Sequence, residues 1–204
     1  MSNDQLISPV DGYIGQIGAI EQGSLIQAKG HSFSVVDLLG GDPNEAMPFQ
    51  KGSFTTLYLA PHNYHRVHIP IDGALTKMIY IPGKLFPVNP KSVQRTPHLF
   101  ARNERVVTLF ETPKGRMAVI LVGAMIVGSI ETAWAGTITS PEVTPRQWNY
   151  NPTIQFKQSE EIGRFKLGST VIVLLESSIQ WNASLNISQL IQMGQPLSVK
   201  PEHS

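Results

Sequence analysis

The chain has 204 residues, enough for one domain with a sizeable buried core, and 41% of them are hydrophobic, as in ordinary globular proteins. A formal net charge of +1 gives no bulk attraction for nucleic acid, and the absence of cysteine excludes disulfides, thiolate metal sites and cysteine nucleophiles. The opening residues, Met1-Ser2-Asn3-Asp4-Gln5, lack the basic and apolar regions of a signal peptide.

Short β-branched and apolar runs, punctuated by 17 glycines and 15 prolines, predict a mainly β fold. Tyr13–Ile20 alternates loosely, as a half-buried strand does, and Ser34–Leu39 is a short helix candidate. Ser53–Leu59 reads as a strand ended by Ala60-Pro61. Met78, Ile79, Tyr80, Ile81, Leu85 and Phe86 read as core filling rather than as the lining of an acyl groove. Arg105–Glu111 and Arg116–Val122 read as a hairpin across Thr112–Gly115. The most apolar window, Met117–Val127, is too short to span a bilayer and suits a buried strand. Gly136–Pro152, with three prolines and Trp148, reads as a long functional loop. Thr170–Leu175 is a strong strand, and Ser184–Met193 is a second helix candidate, ended by Gly194. The sequons at Asn182 and Asn186 have no secretory signal to give them meaning. The sum is one domain over residues 1–204, a single β-barrel or sandwich-like unit with a few short helices.

The chemistry-bearing residues fall in three segments. Leu167-Gly168-Ser169-Thr170 sits before the apolar strand, and a serine after glycine has unobstructed access to the preceding carbonyl. On its own such a tripeptide is an ordinary strand-entry turn. Ser8-Pro9-Val10-Asp11-Gly12 supplies an aspartate, which in an Asp-Gly pair also suits a simple turn. Tyr64-His65-Arg66-Val67-His68-Ile69-Pro70 supplies two histidines, which on an extended strand would point to opposite faces. Asp, His and Ser together are the set that activates a hydroxyl nucleophile. The His62, His65, His68 run suggests a metal, but no cysteine or nearby acidic ligand completes a site, and none is expected. Arg66 suits a phosphate by its guanidinium geometry and equally suits a surface strand.

Together with Ile26-Gln27-Ala28-Lys29-Gly30, Tyr58-Leu59-Ala60-Pro61, Leu99–Arg105, Val122-Gly123-Ala124, Val127-Gly128-Ser129-Ile130 and Gly163–Val171, these segments resemble the phosphatidylserine decarboxylase family from Ser8 to about Leu197. The resemblance implies a proenzyme that cleaves itself between Gly168 and Ser169, leaving a β chain of residues 1–168 and an α chain of residues 169–204. It implies that Ser169 becomes a pyruvoyl cofactor that forms a Schiff base with the substrate amine and acts as electron sink. Asp11, His68 and Ser169 take the roles of self-cleavage triad, and His65 that of proton donor in decarboxylation. Arg66 is the candidate for the lipid phosphate. The implied substrate is phosphatidylserine, decarboxylated to phosphatidylethanolamine and carbon dioxide, and a homodimer is compatible.

Family members carry an upstream helix-rich segment that helps seat them on the membrane, whereas only seven residues precede Ser8. The expectation is therefore peripheral attachment to the cytoplasmic face of a membrane, or a soluble short form. Two other readings stay open at this point. A serine hydrolase would use the same Asp11, His68 and Ser169, although no Gly-x-Ser-x-Gly elbow is present. A non-catalytic β-rich carrier or binding module shares the strand pattern alone.

Overall fold

The computed structural model describes residues 5–28, 30–125, 130–138 and 144–200. Lys29 and Val127-Gly128-Ser129 of the resembling segments, and residues 139–143 of the expected loop, lie outside them. In chain order the elements are β1 (Gly12–Ala19), β2 (Ser24–Ala28), β3 (His31–Ser34), α1 (Val35–Leu38), α2 (Pro43–Ala46), a 3-10 turn at Met47–Phe49, β4 (Ser53–Leu59), β5 (Arg66–His68) and β6 (Gly73–Ile81). There follow α3 (Pro90–Arg95), α4 (Leu99–Arg102), β7 (Arg105–Thr112), β8 (Gly115–Val122), β9 (Ile130–Thr132), β10 (Gly136–Thr137), β11 (Arg146–Phe156), β12 (Glu161–Phe165), β13 (Ser169–Leu175) and β14 (Leu190–Ile191).

Three layers result. The central layer is an eight-stranded antiparallel sheet in the order β11-β6-β7-β8-β13-β4-β1-β14, whose two edge strands do not pair with each other among the described residues, so the fold is a layered sandwich rather than a closed barrel. A four-stranded sheet, β10-β9-β12-β5, covers one face, and the β2-β3 hairpin with the short helices covers the other. The double covering explains the composition of β13, whose every residue is buried. Val171, Val173 and Leu175 join Val67, Ile69, Ile130, Ile162 and Phe165 in one core, while Ile172 and Leu174 join Phe33, Val35, Leu38, Phe49 and Phe100 in the second. A strand buried on both faces reads as a continuous apolar run because side chains alternate between two dry layers.

Local chemistry accounts for the element ends. The β7–β8 turn uses Pro113, whose ring presets the backbone angle, and Gly115, which takes φ +86°. Ser34 caps α1 by accepting the Asp37 N–H at 2.9 Å, and Asn89 caps α3 by accepting the Ser92 N–H at 3.0 Å, with Pro90 in the first turn. At the other end of α1 the buried Arg105 guanidinium donates to the carbonyls of Leu38, Asp37 and Asn103, and burial pulls its pKa down to about 10.

Two expectations need correction. Ser184–Met193 is not a helix but a series of turns leading into β14, which pairs with β1. Ser184 N–H donates to the Asn182 side chain, Asn186 N–H to that of Gln189, and Ser188 adopts φ +68°, so local side-chain bonds displace the helical ladder. The described part of Gly136–Pro152 is largely strand: β10, then β11, an edge strand that carries Pro152 inside a bulge between Asn149 and Ile154. An edge tolerates the missing N–H, so proline did not mark a loop there. Met78, Ile79, Tyr80 and Ile81 are buried in β6, as core-filling side chains should be.

Candidate active site

Backbone pairing brings the three chemical segments together. The His68 N–H donates to the Pro9 carbonyl at 2.9 Å, which lays the histidine segment beside the aspartate segment. The Phe165 N–H donates to the His65 carbonyl at 2.9 Å, and β12 pairs with β5 with Arg164 opposite Arg66. β13 then pairs with β4 so that Ser169 lies opposite Leu59. Residues separated by more than 150 positions in sequence therefore meet where the end of β4 lies beside the starts of β1 and β13. Gly12 permits this junction, since a Cβ there would stand 2.4 Å from the Tyr58 carbonyl oxygen.

His65 leaves the tight turn that follows β4. Its Nε2 lies 3.0 Å from the Pro61 carbonyl, an acceptor only, so Nε2 carries the proton and Nδ1 keeps its lone pair. That Nδ1 is buried and has no hydrogen-bond partner. His68 is held differently: Nδ1 donates to the Ser159 carbonyl at 2.7 Å, and Nε2 receives the Tyr64 hydroxyl at 3.1 Å. The Tyr64 ring also stacks on the imidazole, with centroids 5.8 Å apart. A backbone carbonyl thus sets the His68 tautomer.

Asp11 Oδ1 accepts the Met193 N–H at 2.8 Å and so ties the start of β1 to the turn after β14. Asp11, His68 and Ser169 share this junction, yet the hydrogen bonds of His68 go to Ser159 and Tyr64, and the Ser169 hydroxyl reaches neither His68 nor Asp11. Ser169 is 1% exposed. Gly168 lies against the wall of β4, with a notional Cβ 3.2 Å from the Leu59 carbonyl oxygen. Gly168 and Leu167 line a pocket of about 120 Å³ with Tyr58, Pro61, Asn89 and Met125.

One feature singles this region out. Among the described residues, three buried side-chain nitrogen or oxygen atoms lack a hydrogen-bond partner: His65 Nδ1, Ser169 Oγ and Thr170 Oγ1. Native proteins rarely leave such groups unsatisfied, because each costs about 1–3 kcal/mol, and the exceptions gather where chemistry is done. All three belong to the histidine and cleavage segments.

Arg66 sits at the rim. Its guanidinium pairs with Glu161 at 2.7 Å while its side chain stays half exposed, and Glu161 also meets Arg164 at 3.1 Å. Arg164 and Lys166 both approach Glu131, completing a surface charge network across β5, β12 and β9. Sequence reasoning missed Tyr64, Ser159 and Thr170. Tyr64 was legible as the neighbour of a histidine, but the Ser159 carbonyl carries no sequence signal at all. No helix among the described residues is long and apolar enough to cross a membrane.

The family model for phosphatidylserine decarboxylase matches residues 1–198. A phosphatidylserine decarboxylase proenzyme of Alteromonas mediterranea is 50% identical over 204 residues, covering 98% of this chain and 63% of that protein. One from Pseudomonas fluorescens is 51% identical over 198 residues, covering 95% and 69%, and one from Hahella chejuensis is 50% identical over 195 residues, covering 95% and 66%. The chain spans about two thirds of the length of these curated relatives. Matched by the family model over residues 1–198 and about 50% identical to these relatives over nearly its full length, the chain belongs to the phosphatidylserine decarboxylase family.

Proposed function

We propose that this chain is a self-cleaving proenzyme whose product decarboxylates phosphatidylserine to phosphatidylethanolamine, as the names of its relatives suggest. The observation that carries the reading is the set of three unpartnered buried atoms at the cleavage segment. Ser169 Oγ, free of any hydrogen bond, attacks the Gly168 carbonyl carbon, and the peptide C–N bond is exchanged for an ester. Elimination across Cα–Cβ of residue 169 breaks the ester C–O bond and frees the Gly168 carboxylate. Addition of water to the resulting enamine-derived imine, with loss of ammonia, leaves a pyruvoyl group at residue 169. The buried serine in a close-fitting backbone cradle suits such a group. Once formed, it supplies an electron sink for the carboxylate's bonding pair.

The chain's own side chains have separate tasks. His68 is the base for the Ser169 proton: Nδ1–H on the Ser159 carbonyl fixes the ring, and Nε2 is the basic nitrogen, held by the Tyr64 hydroxyl until it is needed. Asp11 supports the junction from the other side through Met193. His65, whose Nδ1 is buried and unpartnered, is the proton carrier for the decarboxylation step. Arg66 is a candidate for the lipid phosphate at the rim, where it must exchange Glu161 for the ligand. Burial raises the Tyr58 pKa, with Tyr13 adding to the shift, so Tyr58 stays a neutral donor beside Gly168.

Intact mass is the test. Cleavage yields residues 1–168 and 169–204, the smaller lighter by ammonia than a serine-ended peptide and the larger ending in a free Gly168 carboxylate. Ser169→Ala and His68→Ala should each accumulate as one chain. A hydrolase built on the same residues would stay intact and active, and that result would overturn the proposal.

A further inference from the structure

A second cavity, of about 520 Å³, lies on the helical side of the central sheet. That is within the size range of small-molecule sites. Strands β1, β4 and β13 form its floor, and α3, the residues before it and the turn at 187–188 form its roof. Two of its residues, Tyr58 and Val88, also line the pocket at Gly168, so the two spaces adjoin across a shared wall. Phe100 and Val93 contribute apolar surface, and at the rim Ile187 is 57% exposed. Into this setting β13 brings Thr170, 1% exposed, with its hydroxyl buried and unpartnered.

The cavity has an apolar wall at Val88, Val93 and Phe100, its Gln27 amide is already bonded to backbone groups, and Thr170 gives it a buried, unpartnered hydroxyl, a setting that fits a ligand that is hydrocarbon over most of its length and offers an acceptor at one point. Water alone would satisfy the hydroxyl and leave the apolar wall wetted. We infer that this cavity holds a fatty acyl ester arm of the lipid whose headgroup occupies the Gly168 pocket, with the Thr170 hydroxyl donating to the ester carbonyl. The inference rests on the decarboxylase reading for the lipid's identity, and on the shared wall and the unpartnered hydroxyl for the place. It makes Val93 and Thr170 determinants of acyl selectivity.

The experiment has a binding arm and a turnover arm. In the first, the uncleaved Ser169→Ala chain is titrated with methyl decanoate, an acyl ester without a headgroup, and with decane, while backbone amide shifts are followed by NMR. Methyl decanoate should move the amides of Val93, Phe100 and Thr170. Val93→Trp, which thrusts an indole into the cavity beside Phe100 and Thr170, should weaken its binding at least tenfold. Thr170→Val should weaken methyl decanoate several-fold and leave decane unchanged. In the second arm, the processed chain is assayed with dioleoyl and dihexanoyl phosphatidylserine in detergent micelles. Val93→Trp should lower the ratio of their kcat/KM values at least tenfold. An unperturbed cavity, or a Val93→Trp chain that binds methyl decanoate as wild type does, overturns the inference. Acyl binding without decarboxylation would sink the decarboxylase reading and leave the acyl site standing. Decarboxylation with an unaltered chain-length ratio would do the reverse.

Discussion

Gly168→Ala separates folding from self-cleavage. Gly168 has φ outside the left-handed range, so alanine is admissible in backbone terms. The added Cβ would stand 3.2 Å from the Leu59 carbonyl oxygen and 3.4 Å from Cδ and Cγ of Pro61. These are tight contacts that a shift of a few tenths of an ångström relieves. Reduced freedom of the unfolded chain contributes about 0.4–1 kcal/mol in the variant's favour, and crowding costs a similar amount. The net change in stability should stay within about 1 kcal/mol, or roughly 4 °C in Tm for a chain of this size. Cleavage is far more sensitive, because the displaced atoms flank the carbonyl that Ser169 must reach. A misplacement approaching 1 Å costs about 10²-fold in rate, so cleavage should slow by roughly 10- to 100-fold. Timed intact-mass sampling after cell-free synthesis reads the rate. Tm is compared between Ser169→Ala and Gly168→Ala/Ser169→Ala, both uncleaved. Gly12→Ala is the contrast: its Cβ would lie 2.4 Å from a backbone oxygen, and its Tm should drop sharply. Wild-type cleavage in Gly168→Ala would refute the requirement for a bare Cα. A Tm loss as large as that of Gly12→Ala would reassign the defect to folding.

Four further outcomes are expected. His65→Ala should still split and form pyruvoyl, with turnover of phosphatidylserine reduced by roughly 10²–10⁴-fold; wild-type turnover by processed protein would remove His65 from the reaction. Nitrogen-15 NMR of uncleaved Ser169→Ala should show neutral His68 protonated at Nδ1, matching its bond to the Ser159 carbonyl, and an Nε2–H tautomer would contradict that orientation. The Asp72 carboxyl is held below its ordinary value by the Gln158 N–H and then by Lys157, against a small opposing effect of burial, so its contribution is complete above the ordinary carboxylate pKa of about 4 and is lost as pH falls through the lowered value. Asp72→Asn should therefore be less stable than wild type at pH 5–8, and chemical denaturation should show the gap closing below about pH 4. Arg105→Met strands the carbonyls of Leu38, Asp37 and Asn103 and should cost about 3 kcal/mol in equilibrium unfolding, whereas a cost under about 0.5 kcal/mol would mean that water replaces the guanidinium.

Much of this molecule was legible in its sequence where the signal was local. Ser53–Leu59, the hairpin around Thr112–Gly115 and the strand after Ser169 each carry enough β-branched residues and turn chemistry within ten residues to identify themselves. The residue types at the candidate site were legible too, because Asp11, His65, His68, Gly168 and Ser169 stand in dense motifs. Ser184–Met193 and β11 were misread for one reason: spacing suggests periodicity, but the contest between side-chain bonds, edge position and helix is decided by neighbours far along the chain. The partners of the site residues lay beyond any reading of motifs. Which group orients His68 depends on the turn at Ser159, 91 positions away, and the isolation of Ser169 Oγ depends on how β4 and β13 pack. Residue identity sets what chemistry is available, and a single chain read in order can display that. Hydrogen-bond satisfaction is a property of all atoms within about 3 Å of a group, and only the folded sheets determine which atoms those are.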